Sequence, residues 1–265
     1  MNKTTVNPSS LPDGNGTRPI AAFTPTFLFL SVIFCVSLVA SNLLETKVLQ
    51  VGPFILTGGL LVFPVSYIIN DCVSEVWGYR KVRFLIWMGF SMNLFVAIMG
   101  GIAVMLPSPE YWEGEPHFDY IFTFAPRIMF ASLVAFLVGS FLNAIVMSKM
   151  KRKGAESKGL DMSATNKALP ISESTSTLSF SIRAILSTVI GETFDSLIFF
   201  PIAFGGILPF ADLLKVMAIQ VVLKTVYEII ALPITIRVVR YVKHHEATDV
   251  YDNAVSYNPL KIFDL

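Results

Sequence analysis

Two carboxylates one helical turn apart, Glu192 and Asp195, stand inside an apolar run over 182–204. The next apolar run, 213–240, carries a lysine, Lys224, with Gln220 and Glu228 one turn to either side on the same helical face. A carboxylate accepts paired N–H donors, and an ammonium or amide donates to a carbonyl, so this set suits recognition of a polar, hydrogen-bonding solute. One lysine cannot neutralise both acids, which packing alone would require. A third stretch, FPVSYIINDCVSEVWGYRKVR (63–83), places Asp71 and Glu75 one turn apart, just before Arg80, Lys81 and Arg83. Glu75 reads as a partner of Arg80 or Arg83 at the membrane surface, while Asp71 lies deeper. Asn42, Asn93 and Asn143 add amides in three other apolar runs, and Arg127 opens the fourth.

Chemistry other than binding finds little support. G-x-x-x-x-G-K-[ST], H-E-x-x-H and G-x-S-x-G are all absent, and His117, His244 and His245 lie in loops or near the C-terminus. Cys35 and Cys72 sit in apolar segments and read as small core residues. No cofactor and no metal are expected, and a carrier is a better class than an enzyme.

The elements that must position these groups are membrane helices. The 265 residues are 54% hydrophobic and 15% charged, with a mean hydropathy of +0.64. Soluble domains are nearer a quarter charged. A net charge of +1 argues against a nucleic-acid partner. Spanning a bilayer takes about 20 mostly apolar residues, and six segments qualify: 26–44, 58–77, 84–106, 125–148, 182–204 and 213–240. A charge at the bilayer centre costs about 2.5–3.5 kcal/mol on the insertion scale, so Glu192, Asp195 and Lys224 need a reason to be there.

Basic clusters after the second, fourth and sixth segments set the orientation: Arg80, Lys81 and Arg83; Lys149, Lys151, Arg152 and Lys153; Arg237, Arg240 and Lys243. The loop after the third, PSPEYWEGEPHFDYIF, is acidic and aromatic. The positive-inside rule then puts both termini in the cytoplasm. The expected fold is all-α: a flexible cytoplasmic N-terminus (1–25), four helices (26–148), a linker (149–181), two helices (182–240) and a C-terminal tail (241–265). The six spans are read as two three-helix halves, which would make any internal repeat an inverted one. Small residues at four-residue spacing, Gly89, Asn93, Ala97 and Gly101 in one helix and Ala131, Ala135, Gly139 and Asn143 in another, predict close helix contacts. Phe63, Tyr67, Phe194, Phe199, Phe200 and Tyr227 fall near the polar positions and would suit a flat ligand held between rings.

FPVSYIINDCVSEVWGYRKVR resembles the signature of the queuosine precursor transporter family, also called the vitamin uptake transporter family. Its pattern is Phe-Pro, an Asp about seven residues on, an acid-x-x-Gly element and a basic pair. RAILSTVIGETFDSLIFFPIAF (183–204) resembles the family's Ser-Thr-x-x-Gly-x-x-x-Asp run. Ser41-Asn42, Arg127 with Ala131-Ser132, and Lys224 resemble family positions as well, so the likeness spans about 26 to 240. It implies uptake of purine-like deazaguanine bases, the cyano and aminomethyl precursors of queuosine, across the bacterial inner membrane. It also implies a substrate-binding set of Asn42, Asp71, Arg127, Ser187, Thr188, Asp195 and Lys224, to which the depth of Glu192 and Gln220 adds two. The partners implied are the small-molecule base and the lipid bilayer, with no nucleic acid directly and the oligomeric state open. Proton coupling through Asp71 or Glu192 and facilitated diffusion both fit. The alternatives are a substrate-capturing subunit of an ATPase-driven vitamin importer and an intramembrane enzyme.

Overall fold

The computed structural model describes residues 23–44, 46–51, 54–123, 126–157, 177–206, 209–252 and 255–262. Its helices are α1 (Pro25–Leu44), α2 (Phe63–Val104), α3 (Glu115–Thr123), α4 (Pro126–Glu156), α5 (Thr177–Phe204) and α6 (Phe210–Glu246). All but the short α3 are long and apolar enough to cross a membrane. The spans are all helical, as expected, and one short element stands beside them. Between α1 and α2 lies an antiparallel hairpin, β1 (Val48–Val51) and β2 (Phe54–Thr57), in register Val48 to Thr57 and Val51 to Phe54. Val48-Leu49-Gln50-Val51 and Phe54-Ile55-Leu56-Thr57 are β-formers, too short for a span and rich enough in branched and aromatic side chains to pair.

α2 would be about 63 Å long if straight, twice a hydrocarbon core. It is not straight. Gly78 adopts φ 79° and ψ −178°, a left-handed conformation open to glycine, and the chain reverses there. Before the break α2 runs antiparallel to α1: Trp77 meets the Phe27 ring, and the Ser41 hydroxyl donates to the Gly59 carbonyl. After it the two run side by side, with Phe84 on Phe23, Gly89 under Phe34, and Asn93 bonded to Asn42.

The break frees backbone groups that a continuous helix would pair. The Tyr79 N–H donates to the Asp252 carboxylate at 2.9 and 3.1 Å. The Val76 carbonyl accepts from the Val250 N–H at 3.0 Å, and the Glu75 carbonyl accepts from Lys151 Nζ. The chain beyond α6 thus packs into the bend. Arg83 donates to the Ser256 and Asn258 carbonyls and Trp87 to the Pro259 carbonyl. α4 also runs on to Glu156, into the stretch read as linker, and buries Lys151.

α4 and α5 touch backbone to backbone. A methyl group on Gly139 would stand 3.0 Å from the Gly191 carbonyl oxygen, and one on Gly191 2.9 Å from that of Gly139. The predicted stripe on α4 packs as such, with Ala131, Ala135 and Asn143 fully buried. On α2 only its first half does so, since Gly101 meets nothing within 4 Å. Outward faces are apolar: Ile219, Val222, Val226, Ile230 and Ile234 form an exposed stripe along α6, as lipid requires.

Candidate functional site

A narrow cleft opens between α2, α5 and α6. Pro64, Tyr67, Ile68 and Asp71 line it from α2, Thr188 and Glu192 from α5, and Lys224, Tyr227, Glu228, Ala231 and Thr235 from α6. Each helix contributes one face, at three- and four-residue steps.

Lys224 bridges two helices. Its Nζ lies 2.7 Å from Glu192 Oε2 and 3.3 Å from Asp195 Oδ2, both on α5. Lys224 thus pairs with acids on a neighbouring helix, although Glu228 stands four residues on along its own. Glu192 is fully buried, and the Tyr67 hydroxyl bonds to its carboxylate. On the opposite wall Asp71 accepts from Asn143 Nδ2 at 3.3 Å and meets the Glu228 carboxyl.

Of the nine positions proposed from sequence, Asp71, Thr188, Glu192 and Lys224 line the cleft. Asp195 stands behind Lys224 as its second counter-ion. Ser187 is buried and donates to the Ala184 carbonyl of its own helix at 2.9 Å. Asn42 donates to Asn93 at 2.6 Å and accepts from Ser132 at 3.5 Å, forming a polar contact among α1, α2 and α4 away from the cleft. Arg127 and Gln220 fall on α4 and α6, with side chains outside the described residues. Of the six aromatics, Tyr67 and Tyr227 flank the cleft. Phe199 and Phe200 pack with Leu213 and Met217 instead. Glu228, which the sequence places beside Lys224 but not in the substrate-binding set, is also a wall residue. Its signal was the spacing of 224, 228, 231 and 235, one continuous helical face.

Glu75 does not pair with Arg80 or Arg83 as the sequence suggested. It is fully buried, and its Oε1 lies 2.8 Å from both Arg183 Nη2 and Lys243 Nζ, with Lys151 Nζ at 4.0 Å. Asp249 completes the group, 2.5 Å from Lys151 and 2.9 Å from Lys243. Sequence proximity misled here. Arg83 is committed to the carbonyls of the returning chain, while α4, α5 and α6 bring their cations to Glu75.

Residues 57–238, more than half of the chain, match the family described as "Putative vitamin uptake transporter". The chain belongs to that family. A Bacillus subtilis (strain 168) protein named "Probable queuosine precursor transporter" is 25% identical over 196 residues, covering 74% of this chain and 76% of that protein. A Haemophilus influenzae protein of the same name is 30% identical over 98 residues, 36% of this chain and 40% of its own. No solved structure matches the chain significantly. As a member of this transporter family, the chain is a multi-pass membrane protein that moves a solute and not an enzyme.

Proposed function

We propose that the protein imports queuosine precursors, the cyano- and aminomethyl-deazaguanine bases, across the bacterial inner membrane. The observation that carries this reading is the cleft itself: a carboxylate and an ammonium 2.7 Å apart in a cleft that two tyrosines also line, inside a lipid-exposed bundle. A deazaguanine edge offers adjacent N–H donors beside a carbonyl. Glu192 accepts from the donors and Lys224 gives to the carbonyl, so the base replaces the ion pair contact for contact. Asp195 keeps Lys224 charged and in place, and Tyr67 and Tyr227 cover the two faces of the ring. The excess of acids also receives the cationic aminomethyl form.

In this reading the chain crosses the membrane six times, the two arms of α2 counting separately. The reversal at Gly78 supports that count, as does the gathering of Lys151, Arg183 and Lys243 at one end of the bundle. Phe23, at the start of α1, stacks under Lys81 at that same end, which supports both termini being cytoplasmic.

The test is expression in bacteria that neither make the precursor nor carry an importer, with queuosine in tRNA measured against supplied base. The expected result is restoration at low base concentration, lost in Lys224→Met and Glu192→Gln. No restoration by the wild-type chain overturns the substrate assignment. Restoration without any added ATPase module separates this reading from an ATP-driven importer subunit.

A further inference from the structure

We propose that Asp71 and Glu228, facing each other across the cleft, share one proton and form the proton-binding site of the transport cycle. This rests on the transport reading above and adds to it the co-substrate and its address.

The geometry is that of two carboxyls in hydrogen-bonding contact, one from α2 and one from α6. Fully ionised, the two carboxyls have acceptors only toward each other, and the donor facing Glu228 is the neutral Thr188 hydroxyl. A single hydrogen turns the same contact into an O–H···O bond, and two carboxyls this close titrate as a unit. The cations described around the pair are held by other acids. From α4, Asn143 donates its one bond to Asp71. From α5 come Glu192, another acid, and the buried Thr188, whose neutral hydroxyl faces Glu228. From α2 itself come Tyr67, bonded to Glu192, and Glu75 one turn on, held by Arg183 and Lys243. From α6 comes Lys224, held by Glu192 and Asp195. Among the described residues no Lys or Arg pairs with Asp71 or Glu228. The cleft's surplus of acid is therefore concentrated on this pair, whereas Glu192, the other candidate for proton exchange, has its counter-ion.

The cycle balances without covalent chemistry. One proton from the outer solution joins the carboxylate pair as the base enters, crosses with it, and leaves to the inner solution when the base does. The pair then returns carrying its second negative charge.

Two measurements test this on the full-length chain. Infrared difference spectra of the purified protein in nanodiscs read protonated carboxyls directly. The wild type is expected to show a protonated-carboxyl band at neutral pH that disappears in Glu228→Gln and in Asp71→Asn and persists in Asp195→Asn. Should Asp71→Asn fail to fold, Glu228→Gln decides alone, since losing either member removes the shared proton. No such band in the wild type, or one that survives Glu228→Gln, overturns the proposal. In proteoliposomes with an imposed pH difference, the wild type should accumulate base about tenfold per pH unit for one proton per base. Glu228→Gln should bring it no further than equal concentrations. A wild type that stops at equal concentrations overturns coupling through the pair. A wild type that moves no deazaguanine base counts against the substrate reading instead, and the infrared result still decides the pair.

Discussion

Removing the Asp252 carboxylate tests whether the returning C-terminal chain closes the broken α2. Asp252 accepts the Tyr79 N–H at 2.9 and 3.1 Å and the Ser148 hydroxyl at 2.5 Å. In Asp252→Ala the hydroxyl keeps a partner, because Ser148 also meets the Tyr257 hydroxyl at 2.9 Å. The Tyr79 N–H has no such alternative, because the break at Gly78 takes it out of line with the Glu75 carbonyl, its partner in an unbroken helix. A buried donor left unmet costs about 1–3 kcal/mol. The midpoint of the range, about 2 kcal/mol, lowers Tm by about 4–8 °C at this chain length. The assay is thermal unfolding in detergent followed by intrinsic fluorescence, with ligand absent. Asp252→Asn retains an acceptor for Tyr79 and should lose less than half as much. An Asp252→Ala protein that melts within about 1 °C of the wild type would refute the argument that this carboxylate satisfies the bend.

The same residue makes a prediction about pH. Burial pushes the Asp252 carboxyl above its ordinary value, against the opposing bonds from Ser148 and Tyr79. The folded chain then binds this proton more readily than the unfolded one. Stability from the site is therefore gained as pH falls through the raised value and lost as pH rises through it. Asn cannot titrate, so the Tm advantage of the wild type over Asp252→Asn should widen in mild acid. A gap that narrows there would mean the carboxylate is held ionised.

Lys224→Met leaves Glu192 fully buried without its cation, so a loss of about 3–5 kcal/mol is expected alongside loss of uptake. Adding Glu192→Gln should recover part of the stability and none of the transport; separate thermal and uptake measurements distinguish the two. Gly139→Val drives side-chain atoms onto the Gly191 carbonyl and should cost about 1–3 kcal/mol as overpacking. A melting curve unchanged by that substitution would mean α4 and α5 are not in backbone contact.

Much of this architecture is legible in the sequence because lipid simplifies the problem. Backbone must be paired within each span, so apolar runs of the right length become helices, and the runs at 26–44, 182–204 and 213–240 lie within α1, α5 and α6 almost end to end. Lys224 was legible as a site residue for the same reason: a lone cation at depth needs an acid, and Glu192 and Asp195 supply two. What was hidden depends on tertiary neighbours. Asp249, Asp252 and Tyr257 sit in a polar segment with no periodicity, and their partners come from other elements: Lys151 and Lys243 for Asp249, Tyr79 and Ser148 for Asp252, and Ser148 for Tyr257. Glu228 was masked by Lys224 four residues before it, the partner that i,i+4 spacing suggests and that α5 takes instead.

The contrast between Asp71 and Glu75 shows why the two must be read together. They lie one turn apart on the same arm of α2, and both are buried to within 2%. Glu75 is surrounded by Arg183, Lys243 and Lys151, a group anchored by Asp249 from beyond α6. Asp71 has Asn143 and another carboxyl. A buried ion group of this size adds little net stability over an apolar core, but it strongly penalises any arrangement that separates its members. It therefore fixes the ends of α2, α4, α5 and α6 against one another. The same cations that hold Glu75 are thereby kept away from Asp71, one turn deeper. The acid surplus in the cleft thus follows from how the charges at the neighbouring end are spent, and changing Glu75 should alter the cleft without touching it.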